Sequence, residues 1–119
     1  MFPDVRKELE RAGVSVPKTG TMKLYHAGPS SKLGRIEADL EIPGAKEPDG
    51  KLRVYVATSP DIAEVIPHAD GAVEVLVDVN LELELGMGAI QDWVELVYDV
   101  PPGKNGMPIM LASRVMPGP

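Results

Sequence analysis

The chain has no cysteine among its 119 residues. Disulfides, thiolate metal sites and a cysteine nucleophile are therefore excluded, and the composition suits a reducing, cytoplasmic setting. Aromatics are scarce, at 4% of residues, so Leu, Val, Ile, Ala and Met must fill the core. No apolar run reaches the roughly 18 residues a membrane-spanning helix needs. Met1-Phe2-Pro3-Asp4 lacks the basic and then apolar pattern of a secretory leader. Positive charge is in deficit: 12 Lys and Arg against 18 Asp and Glu leave a net charge of −6. The cations are scattered without a basic stripe, which disfavours general binding to a nucleic-acid backbone. A small anion in a local pocket is compatible with that balance, because net charge governs long-range attraction more than a site. No GxGxxG or GxxxxGK phosphate loop, HxxxH or HxH metal spacing, or GxSxG nucleophile elbow occurs.

Turns are what the chain has in quantity. Gly and Pro number 12 each, which favours short elements over long helices. At this length a single domain, residues 1–119, with one modest core is expected. Pro3, Asp4 and Gly13 predict a helix over 3–12 with Val5, Leu9 and Ala12 on one face, then a connector to residue 21. Met22–His26, Leu52–Ala57, Ala72–Val79, Leu81–Leu85 and Ile109–Val115 read as strands, and Ile90–Val100 as another strand or a strand pair with a bend. Gly28-Pro29-Ser30-Ser31 reads as a turn, and Leu33–Ile42 as a weakly apolar stretch. Ser59-Pro60-Asp61 reads as a helix start: a serine cap, a proline in the first turn, and an acid near the positive end. Gly86-Met87-Gly88 interrupts the strand pattern, and 116–119 is expected to be a loose tail. Strands that do not alternate with helices argue against a doubly wound parallel sheet. The expectation is an α+β fold of two small, mostly antiparallel sheets with short helices.

Two stretches carry chemistry. Leu24-Tyr25-His26-Ala27-Gly28 puts a histidine at a strand end, followed by small residues that let a ligand approach the backbone. His26 reads either as a backbone-bonded structural residue or as a partner for a ligand ribose. Val54-Tyr55-Val56-Ala57-Thr58-Ser59-Pro60 puts a tyrosine inside a strand, on the face opposite Val54 and Val56. Tyr55 reads either as sheet cover or as a ring that stacks on a flat heterocycle. Many acids follow on strand-like runs; one placed opposite His26 and Tyr55 would stabilise positive charge developing at a sugar carbon.

These two runs, in this order and at this spacing, resemble the first and second motifs of the ADP-ribosyltransferase-like superfamily. Small bacterial rifampin-modifying members and the histidine–tyrosine–acid branch are similar in pattern. Glu95-Leu96-Val97-Tyr98-Asp99-Val100-Pro101-Pro102 is similar to the third motif, an acid on a late strand before a proline turn. Asp92 is the second choice for that acid. The resemblance spans residues 22–115. It implies a split-sheet cleft holding NAD as a substrate. His26 would contact the nicotinamide ribose, backbone at Ala27 or Gly28 the carboxamide, and Tyr55 the nicotinamide ring. Ser59 would join the cofactor-binding set. Glu95, or Asp92, would orient the acceptor or stabilise the oxocarbenium-like transition state as nicotinamide leaves. Ala27 stands where glycine usually follows the histidine, so its methyl is expected to crowd the carboxamide. No metal and no membrane partner is implied, and the acceptor is left open between small molecule, protein and nucleic acid. Two other classes fit the sequence: a non-catalytic binding or regulatory module on a similar scaffold, and a structural β-rich protein pairing through strand edges.

Overall fold

The computed structural model describes residues 1–86 and 92–117, with 111–117 described by their backbone alone. Helix α1 (Pro3–Arg11) has Pro3 and Asp4 in its first turn and Arg11 in its last, each where backbone geometry and the helix dipole favour it. Val5 and Leu9, one turn apart, are its buried pair. Ala12, expected on that face, is exposed at the helix end. The guanidinium of Arg6 donates to the carbonyls of Val16 and Pro17, tying the connector back onto α1.

The strands are β1 (Thr21–Gly28), β2 (Glu41–Pro43), β3 (Ala45–Lys46), β4 (Leu52–Ala57), β5 (Gly71–Asp78), β6 (Leu83–Leu85), β7 (Glu95–Asp99), β8 (Gly106–Pro108) and β9 (Leu111–Pro117). Helix α2 (Ser30–Asp39) and a 3₁₀ helix (Pro60–Glu64) complete the described elements. The result is a small α+β fold with antiparallel pairing throughout the described sheets. The sheets are unequal. Six strands run in the order β6-β7-β4-β1-β5-β9, β3 adds to β4, and β2 pairs with β8 alone. Of the strand expected over Ile90–Val100, β7 occupies Glu95–Asp99. Ile90 lies outside the described residues, as do Met87 and Gly88 of the expected break and Gly118 and Pro119 of the tail. Met116 and Pro117 belong to β9 rather than to a loose end.

Strand alternation divides the buried side chains between the two faces of the large sheet. Leu24, Val54, Val56, Val73, Val75, Val77 and Leu96 share one cluster with Val5 and Leu9 of α1 and Leu33 and Ile36 of α2. Ala27, Ala57 and Ala72 face the other way, under Ile62 and Ala63 of the 3₁₀ helix and Trp93. Alanines on that face let the short helix lie close to the sheet.

Helix α2 replaces the turn expected at Ser30-Ser31 and most of the weakly apolar stretch. Its cap is not local. The carboxylate of Asp70 accepts from the Ser30 backbone N–H and from its hydroxyl, both at 2.6 Å. The helix stops where Leu40 adopts a left-handed conformation, φ +53°, with its N–H returning to Ile36 O.

The pairing of β1 sets up the site. It pairs with β5 through eight register positions, from Thr21↔Asp78 to Gly28↔Gly71. It pairs with β4 at one, Tyr25↔Ala57. Farther along, β3 takes up Leu52 and Arg53 of β4 instead. The end of β1 and the start of β4 therefore part company beside His26.

Candidate functional site

A cavity of about 410 Å³ opens where β1 and β4 separate. His26, Ala27 and Gly28 of β1 form one wall, Arg53 and Tyr55 of β4 another. Lys32, Leu33, Arg35 and Ile36 of α2 close a third side, and Ile66 and Pro67 border it beyond the 3₁₀ helix. Its volume lies within the ordinary range of ligand pockets, roughly 300–1,000 Å³. A hollow of about 490 Å³ elsewhere is bounded by surface turns, Gly50–Leu52 and Asp99–Lys104, and holds neither a histidine nor a tyrosine.

His26 points into the Leu24 face by strand alternation, and its ring reaches across the separation. Nδ1 lies 2.8 Å from the backbone oxygen of Tyr55. A carbonyl only accepts, so Nδ1 carries the proton. Burial lowers the imidazole pKa below its usual value, and the bond to Tyr55 opposes this in part. At neutral pH the ring is then uncharged, with Nε2 an acceptor that has no partner among the described residues. Such a nitrogen is free to accept a hydrogen bond from a hydroxyl group.

Tyr55 is half-buried, and its hydroxyl donates to the Glu47 carboxylate. That hydrogen bond, with burial, pushes the phenol pKa up to about 12. Glu47 sits in the turn between β3 and β4, whose closure comes from the Glu47 N–H to Lys51 O and the Gly50 N–H to Glu47 O. Arg53, two residues before Tyr55 on the same strand face, donates from Nε to Asp99 at 2.8 Å and from Nη2 to Asp49 at 2.9 Å.

The fold brings His26, Ala27, Gly28 and Tyr55 to one cavity and leaves Glu95, Asp92 and Ser59 off its wall. Glu95 lies beside Ala57 in the β4–β7 register, diagonal to Tyr55. Its side chain lies over Gly86, where a side chain at position 86 would have to displace it. Asp92 is exposed ahead of Trp93. The Ser59 hydroxyl caps the 3₁₀ helix, accepting from Asp61 N–H at 3.1 Å. Ala27 is buried within the Ala57–Ile62 cluster while also bordering the cavity, so its methyl has a packing partner on the side away from His26.

Sequence reasoning missed Glu47, Lys32 and Arg35. Arg53 was legible as Tyr55's neighbour on one strand face. Lys32 and Arg35 are three apart, a helical spacing hidden by the turn-like start of α2. Among the described residues no group of three His, Asp or Glu side chains is arranged to hold a metal ion, and no helix is long and apolar enough to cross a membrane. No protein-family model, curated protein or solved structure matches this chain.

Proposed function

We propose that this chain binds NAD in the cavity between β1 and β4 and transfers its ADP-ribose to an acceptor, releasing nicotinamide. The observation that carries the proposal is the His26–Tyr55 bridge across the strand separation, with both residues on the wall of one cavity. The two short motifs that resemble ADP-ribosyltransferases meet at this bridge, which supports the reading of a cleft between their strands. A neutral His26 offers Nε2 to a ribose hydroxyl. The exposed part of the Tyr55 ring offers a flat surface to nicotinamide.

In the transfer, the bond between the ribose C1′ and the nicotinamide nitrogen breaks, and nicotinamide departs with the bonding pair. The acceptor's lone pair then forms the new bond to C1′, and its proton passes to a base. Glu95 would meet the developing positive charge if the ligand extends past Tyr55 toward β7. A cytoplasmic setting would supply the dinucleotide. The acceptor class is left open.

Incubation of the chain with NAD should release nicotinamide and raise the melting temperature. His26→Ala and Tyr55→Ala should each abolish the release. Absence of both signals at millimolar NAD refutes the proposal. One observation favours a second reading, a non-catalytic binding or regulatory module: neither Glu95 nor Asp92 borders the cavity. NAD-dependent stabilisation without nicotinamide release would select it.

A further inference from the structure

The chain carries a net charge of −6, yet the cavity wall contains Lys32, Arg35 and Arg53 and no acidic side chain. A random sample of this protein's surface would show the reverse. Acids outnumber bases in the chain, so a wall of one sign is an organised feature.

The three cations differ in kind. Arg53 is restrained by Asp49 and Asp99, so it serves as a positioned donor whose charge is already compensated; its Nη1 has no partner among the described residues. The side-chain heads of Lys32 and Arg35 have no hydrogen bond or ion pair with any described residue. The two residues lie one turn apart on α2, on a stretch anchored by the buried Leu33 and Ile36. Their backbones are fixed, their heads are free, and they face a wall that is otherwise apolar or neutral. The N-terminus of α2 is not itself the anion site, because the Asp70 carboxylate already takes the Ser30 N–H.

We infer that the Lys32–Arg35 side of the cavity holds the phosphates of a nucleoside diphosphate or dinucleotide, leaving the Tyr55 ring for a flat, uncharged group. This deepens the NAD proposal and rests on it for the identity of the nucleoside alone. Two cations at helical spacing suit two linked phosphates better than one carboxylate. Arginine adds planar, paired donors where lysine adds a mobile point charge. The phosphate-binding part of the site therefore comes from α2 and not from either sequence motif.

Calorimetric titration of the full chain with adenosine, ADP, inorganic pyrophosphate and NAD tests this. ADP and NAD should bind, adenosine should bind at least about tenfold more weakly, and added salt should weaken ADP. Lys32 and Arg35 are exposed, so the double variant Lys32→Glu/Arg35→Glu should fold and lose ADP affinity about tenfold or more. Lys7→Glu, an exposed charge reversal on α1, controls for charge reversal away from the cavity and should bind ADP as the natural chain does. Equal binding of adenosine and ADP overturns the inference, as does a double variant indistinguishable from Lys7→Glu, or failure of ADP, pyrophosphate and NAD all to bind. Charge-sensitive ADP binding without nicotinamide release sustains it while refuting the transfer. Nicotinamide release that the double variant leaves unchanged does the opposite.

Discussion

His26 bridges β1 and β4 next to their single register pair, Tyr25↔Ala57, so replacing it tests the site and the fold together. His26→Ala removes the Nδ1–H bond to Tyr55 O, worth about 1 kcal/mol net beside a cavity that admits water. Losing the packing of a half-buried ring adds about 1 kcal/mol. The sum, about 2 kcal/mol, corresponds to a fall of about 8 °C in Tm for a domain of this size. His26→Asn keeps a donor near the Nδ1 position but does not titrate, so it should melt close to the natural chain at pH 7.5.

The two variants also separate the titration from the hydrogen bond. Burial holds the folded His26 pKa below its unfolded value, which is about 6.5. Between those two values the unfolded chain binds more protons than the folded one. The contribution of His26 is thus fully present above pH 6.5 and is lost as pH falls through the window down to the folded pKa. Denaturant unfolding of the natural chain and His26→Asn, followed by circular dichroism from pH 7.5 to 5, reads this directly. The two curves should diverge below pH 6.5, the natural chain losing stability faster. Parallel curves would refute the buried, neutral imidazole, and a His26→Ala chain with unchanged Tm would refute the bridge.

Asp70→Ala removes the distant cap of α2 and should cost about 1 kcal/mol in urea unfolding; no loss would mean that water replaces the carboxylate fully. Gly106→Ala would drive a methyl into the Ile42 carbonyl and Pro43 Cα, so β2 and β8 should separate at a cost of about 1–3 kcal/mol. Wild-type stability in that variant would contradict the pairing. Ultraviolet titration of the natural chain minus Tyr55→Phe should show a phenol near 12. Glu47→Gln should move that phenol back down, because the carboxylate that disfavours the phenolate is gone; an unmoved midpoint would place Glu47 elsewhere.

Local chemistry made several elements legible. Pro3, Asp4 and Gly13 frame α1, and Val54, Tyr55 and Val56 alternate between buried and half-buried because one face of β4 covers the main core. Ser59 caps its helix through an atom two residues away, a contact that sequence proximity nearly guarantees. Helix α2 escaped because its signals are not local: Gly34 lies within it, its cap comes from Asp70, and Leu40 rather than glycine takes the left-handed end.

The site divides in the same way. From sequence alone came a histidine at one strand's end and a tyrosine within another, on the face away from Val54 and Val56, the last a consequence of the two-residue strand period. Tertiary structure alone decided that β1 leaves β4 after a single paired position, because long pairing with β5 holds β1 while β3 takes up the start of β4. It also decided which charges face the gap. Cations scattered along an acidic chain reach one wall only when α2 is packed down through Leu33 and Ile36, and linear spacing carries no record of that packing.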